Sequence, residues 1–190
     1  MSVKVAAILD EPTVASLLRD LAPLTIGLGD ADQPHRWIEI RPPDRVAFVP
    51  GEGLRIDTTA KLSWTVAGVT IAFTIQALTL LLRPVIDTAV RRLNLVATIE
   101  QADLKNVPEV IDDTIVSHVN ERLAARPDAI GWTFGKTLSL HLAMPASTAP
   151  LDAFEMEAED ATLEIGSDHL RFSLSLPMRF TRSEEPRTGA

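Results

Sequence analysis

The chain contains no cysteine. Disulfides, thiolate metal sites and cysteine nucleophiles are thereby excluded, while the redox compartment stays open. A basic balance is also missing: 26 acidic residues against 18 basic ones give a formal net charge of −8. A nucleic-acid surface needs a basic face, so no nucleic-acid partner is expected. Adhesion to anionic membrane is disfavoured for the same reason, and membrane contact is expected to be peripheral at most. Arg91-Arg92 is a short cationic pair, read most simply as two solvated arginines at a strand start. The N-terminus has only a brief apolar run before Asp10, too short for a secretory signal. The expected location is cytoplasmic, or periplasmic if a leader has been removed.

Catalytic signatures are absent too. The four histidines are His35, His118, His141 and His169, and no two lie at a metal-ligand spacing. His118 and His141 fall on an expected helix and the strand after it, where with Asp113 they would make a conceivable site; packed or solvated histidines are the simpler reading. Glu109, Asp112 and Asp113 are candidates for paired acid–base carboxylates. They also stand where a helix N-terminus favours negative charge. Gly27-Leu28-Gly29 and Gly51-Glu52-Gly53 lack the third glycine and the strand–helix setting of a nucleotide loop, and read as turns. Ser139, Ser173 and Ser175 have no nucleophile-elbow context. Glu155, Glu157 and Glu159 form an acidic row on one strand face, with Arg171 on a paired strand as the expected counter-charge. No enzymatic activity, metal or cofactor is expected. There is also no internal repeat and no domain linker.

What the chain does have is alternation. Its 190 residues, 46% of them apolar, suit one domain with a sizeable core. Residues 1–182 are expected to form that domain, and residues 183–190 a disordered tail. Leu54, Ile56, Thr58, Ala60, Leu62, Trp64 and Val66 occupy every second position, the cleanest strand signal present. A strand of that length has to twist and coil. Residues 62–82 carry no charge and are about long enough to span a bilayer as a helix. Their β-branched content and continued alternation favour two buried strands instead, with a bend at Ala67-Gly68. Residues 69–82 are apolar on both faces, so a cover on both sides is expected. Arg83-Pro84 should break that strand, and residues 85–90 should form a helical turn.

Further strands are expected at residues 3–9, 37–41, 93–100, 137–144 and 154–158, and around a hairpin at Gly166-Ser167-Asp168. Asp10 followed by Pro12 marks the start of a short helix with Val14, Leu17, Leu18 and Leu21 on one face. A long helix is expected over 107–125, where Val107, Ile111, Ile115, Val119 and Leu123 recur every four residues. Trp64, Trp132 and Phe134 are candidates for the lining of a pocket, or for ordinary packing. The expected fold is α+β: a long, strongly twisted antiparallel sheet wrapped around one long helix, plus a short N-terminal helix.

The run Ala102-Asp103-Leu104-Lys105-Asn106-Val107-Pro108, then Ile111, Ile115, Val119-Asn120, Leu123 and Trp132-Thr133-Phe134, resembles the central segment of the tubular lipid-binding (TULIP) superfamily. That superfamily includes the bactericidal/permeability-increasing-like modules. The resemblance spans residues 54–180 in order of elements. It implies a coiled sheet around a helix with lipid in the tunnel between them, and it brings no catalytic residues. On that reading the partner is a lipid or other apolar small molecule. Ile111, Ile115, Val119 and Leu123 would line the slot from the helix, and Ile71, Phe73, Leu138, Leu140, Phe172 and Leu174 from the sheet. The alternative is an assembly module, in which a second copy or another protein covers the apolar strand 69–82.

Overall fold

Long alternating runs separated by tight turns build two antiparallel sheets. A computed structural model describes residues 2–29, 35–66, 69–105, 107, 109–148 and 150–182. In chain order these form β1 (Ser2–Asp10), α1 (Glu11–Leu21), β2 (Leu24–Gly27), β3 (Trp37–Ile40), β4 (Arg45–Val49), β5 (Gly53–Val66), β6 (Val69–Asp87) and β7 (Arg92–Leu104). There follow α2 (Glu109–Ala124), β8 (Gly131–Trp132), α3 (Phe134–Thr137), β9 (Leu140–Ala143), β10 (Leu151–Met156), β11 (Asp160–Ile165) and β12 (His169–Arg182). The seven-stranded sheet runs β2-β3-β5-β6-β7-β8, with β4 also on β5, and it curls into a half-barrel. The five-stranded sheet runs β1-β12-β10-β9, with β11 also on β12.

The alternation of β5 translates directly into burial. Leu54, Ile56, Thr58, Ala60, Leu62 and Trp64 are all buried on the inner face. Each large apolar side chain removed from water there is worth roughly 1.5–3 kcal/mol. Against them pack Leu78, Leu80 and Leu82 of β6, Ala97 and Ile99 of β7, and Val119 and Leu123 of α2. Ile165 and Leu170 of the smaller sheet close this core. A second cluster gathers Phe134, Ala158, Ala161, Leu174 and Leu176. The β4–β5 hairpin depends on its glycines. Gly51 sits at φ 73°, and a Cβ on Gly53 would stand 2.2 Å from the Leu82 carbonyl oxygen. The Asp10 start signal is realised: its carboxylate accepts the Thr13 N–H at 3.0 Å and caps α1.

Several expectations need correction. The described residues form mostly antiparallel sheet with few helices, and among them no long helix threads the fold. α2 has 16 residues, about 24 Å, against the 19 residues of β6. Its stripe is buried only toward the C-terminal end: Val119 and Leu123 are buried, Ile115 is half-buried, and Ile111 is 49% exposed. Polar groups share the buried side because α2 lies along an edge of β7. Asp112 accepts the Leu104 N–H at 3.2 Å, and Asn120 bonds Ile99.

Arg83-Pro84 does not end β6, which continues to Asp87 and replaces the expected helical turn. Pro84 lies beyond Leu82, the last residue paired with β5, so among the described residues β6 has only β7 as a strand neighbour there and tolerates a missing N–H. The double cover of residues 69–82 holds at Leu80, Leu81 and Leu82, which are all buried, but Val69 and Ile71 are exposed. The strand expected at 137–144 shortens to β9, because residues 134–137 turn helically as α3 and bury Phe134. On α1, Val14 and Ala15 are buried while Leu17 and Leu21 are exposed. The bend at 67–68 and the tail at 183–190 lie outside the described residues. Among the described residues, no helix is long and apolar enough to cross a membrane.

Candidate functional site

An apolar cavity of about 460 Å³ opens over the inner face of the seven-stranded sheet. Its floor comes from side chains on one face of three neighbouring strands: Ile56 of β5, Leu80 and Leu82 of β6, and Leu93 and Leu95 of β7. The register sets Ile56 opposite Leu80, so their side chains meet across the ladder. One wall is the end of α1, Leu18, Leu21 and Ala22, with Leu24 and Ile40 beyond it. The opposite wall is the segment Ala129, Ile130, Gly131 and Trp132.

Backbone bonds hold that second wall down. Leu95 N–H donates to the Ile130 carbonyl at 2.8 Å. Arg92 Nη2 donates to the Asp128 carbonyl at 2.7 Å, and Gly131 and Trp132 pair with Asn94 and Leu93. The Trp132 indole N–H donates to Thr137 Oγ1 at 2.9 Å, which orients the ring. The ring also lies 5.8 Å from Phe172 and 6.3 Å from Phe134, centroid to centroid. Among the described residues Arg41 is the one charged residue in the lining, and its guanidinium meets Glu39 at 3.0 Å. The size is that of a small-molecule pocket, and a lining this apolar favours an apolar guest over water.

None of the ten lining residues expected from sequence borders this cavity. Val119, Leu123, Ile115, Phe73 and Phe172 meet in or against the main core. Leu174 and Leu138 belong to the second cluster, which Phe172 also touches. Ile71, Ile111 and Leu140 are exposed at 40%, 49% and 45%. Of the three aromatic candidates only Trp132 lines the cavity. Trp64 is buried in the main core with the Arg36 guanidinium 4.9 Å above its ring, and Phe134 is fully buried in the second cluster. The cavity lining carries a local sequence signal. Leu80 and Leu82, and Leu93 and Leu95, are i, i+2 pairs on recognised strands.

The titratable candidates take separate partners. His118 lies 3.3 Å from Glu121, His141 3.2 Å from Glu155, and His169 2.7 Å from Asp168. Among the described residues, no group of three His, Asp or Glu side chains is placed to hold a metal ion. The acidic row does not lie on one strand: β10 ends at Met156, Glu157 meets Arg91 beyond it, and Arg171 is set opposite Glu164. Shifted acidities have local causes. The Arg55 guanidinium holds Glu100 below the usual carboxylate range through hydrogen bonds of 2.7 and 3.1 Å. Hydrogen bonds from Thr13 and His169 do the same for Asp10 and Asp168. None of these groups lines the cavity.

No family model matches the chain, and comparison with curated proteins finds no match.

Proposed function

We propose that the chain binds a lipid or other apolar small molecule without transforming it, in the cavity between α1, the inner sheet face and residues 129–132. The observation that carries this reading is the cavity itself: about 460 Å³ lined almost wholly by apolar side chains. Burial of a hydrocarbon chain there would drive binding at about 25 cal/mol per Å² before ordering costs. Active sites gather titratable groups of shifted pKa, whereas among the described lining residues Arg41 alone is ionisable, which suits holding an apolar guest better than acid–base work. The curled sheet accords with the tubular lipid-binding resemblance, with the slot beside α1 rather than α2.

Native mass spectrometry with organic extraction tests the proposal. The expected result is a protein carrying an extractable amphiphile, and an Ala129→Trp variant that folds but carries none. A bare chain that also fails to take up added fatty acid sinks the idea.

The exposed apolar side chains of Val69 and Ile71, at 62% and 40%, favour a second reading in which a partner chain covers the β5–β6 arm. Val69→Lys with Ile71→Lys should then abolish the contact of that arm with its partner and leave apolar-ligand uptake intact.

A further inference from the structure

β1 has a strand on one side only. β12 pairs with it along its whole length, from Ser2 against Pro177 to Asp10 against His169. Among the described residues, no strand lies along its other edge. Every residue of β1 except Leu9 is exposed, including Val3 at 38%, Val5 at 48% and Ile8 at 65%. Free N–H and C=O groups on such an edge template another strand, and sheets commonly blunt them with proline, bulges or clustered charge. β1 has no proline and no register break, and its only charged residues are Lys4 and Asp10.

Those two charges carry the inference. They stand an even number of positions apart, so both project from the same face of the strand. A second copy laid antiparallel about a two-fold axis at Ala7 sets each Lys4 opposite Asp10 of the other copy. The same register sets Val5 opposite Leu9, Ala6 opposite Ile8, and Ala7 opposite itself. A parallel copy in equal register would instead oppose Lys4 to Lys4 and Asp10 to Asp10. Asp10 remains able to serve: Oδ1 accepts the Thr13 N–H, and a carboxylate has further acceptor capacity. We infer that two copies of this chain join β1 to β1, antiparallel and centred on Ala7, so that their five-stranded sheets become one continuous sheet. The contact is isologous and therefore closes as a dimer. Main-chain bonds supply adhesion, and the Lys4–Asp10 pairs set the register.

Sedimentation of the full chain at micromolar concentration tests this. The parent should be dimeric. Lys4→Glu and Asp10→Lys should each weaken the dimer roughly tenfold, because like charges then face each other twice. Mixing the two variants should restore association, since each glutamate then meets a lysine. Asp10→Lys also removes the α1 cap, so a second measurement avoids it. The chain has no cysteine, and Ala7→Cys places one thiol at the axis, where opposed Cβ atoms approach disulfide range. Mild oxidation should cross-link Ala7→Cys quickly and Val3→Cys slowly. A monomeric parent, a mixture no tighter than its components, or equal cross-linking at both positions would overturn the inference.

Discussion

Asn120 and Ile99 are joined twice: the Ile99 N–H donates to Asn120 Oδ1 at 2.8 Å, and Asn120 Nδ2 donates to the Ile99 carbonyl at 2.9 Å. One carboxamide thus stands in for a neighbouring strand on the outer edge of β7, where β8 reaches only Leu93 and Asn94. Asp112 does the same for the Leu104 N–H. α2 is therefore an edge cover as well as a core element.

Replacing Asn120 with leucine keeps the size and removes both bonds. Two backbone groups of buried Ile99 are then left without partners, which costs about 1–3 kcal/mol each. Urea unfolding should show that loss, and the Ile99 amide should exchange faster with solvent.

The uneven burial of the α2 stripe predicts uneven sensitivity. Leu123→Ala, at a buried site, should cost about 2–5 kcal/mol. Ile111→Ala, 49% exposed, should change stability by less than about 0.5 kcal/mol. Equal losses would show that the whole stripe packs.

The hairpin glycines predict a graded pair. Gly51→Ala keeps open space around its Cβ but must hold φ at 73°, at a cost of about 1–2 kcal/mol. Gly53→Ala meets the Leu82 backbone at 2.2 Å, so the β5 and β6 backbones have to move apart locally and the loss should be the larger. Thermal unfolding of the two variants orders them.

Glu100 gives a pH dependence. The Arg55 hydrogen bonds lower its folded pKa beneath its unfolded value. The pair therefore stabilises the fold above the unfolded pKa of about 4.3, and that contribution is lost as pH falls through the lowered folded value. Glu100→Gln should remove this part of the acid sensitivity. Its unfolding midpoint should fall less than the parent's between neutral and acid pH, and high salt should narrow the difference, because both side chains are partly exposed.

How much of this could be read in the sequence depended on how far apart the cause of each feature lies. β5 was legible because its alternation is local and one face is buried from Leu54 to Trp64. The Asp10 cap and the Gly166-Ser167-Asp168 hairpin were legible because each is a contact within a few residues. Asp112 and Asn120 were not, because a polar residue that caps a sheet edge looks the same in sequence as one facing water. Pro84 was not legible for a related reason: a proline would break a central strand, and only the pairing shows that β5 has already ended beside this one. The cavity was the least legible feature. Its walls come from residues as distant as Leu18 and Trp132, and it lies where the sheet curls past the end of α1, whereas the periodic stripe drew attention to α2.

Fluorescence quenching by a brominated fatty acid tests the cavity most directly. Of the three tryptophans, Trp37, Trp64 and Trp132, only Trp132 lines it. A Trp37→Phe, Trp64→Phe variant, which leaves Trp132 as the sole emitter, should show saturable quenching at one acyl chain per protein. Trp132→Phe should show almost none. Equal quenching of both variants, or no saturable quenching of Trp132, would contradict ligand binding at this site.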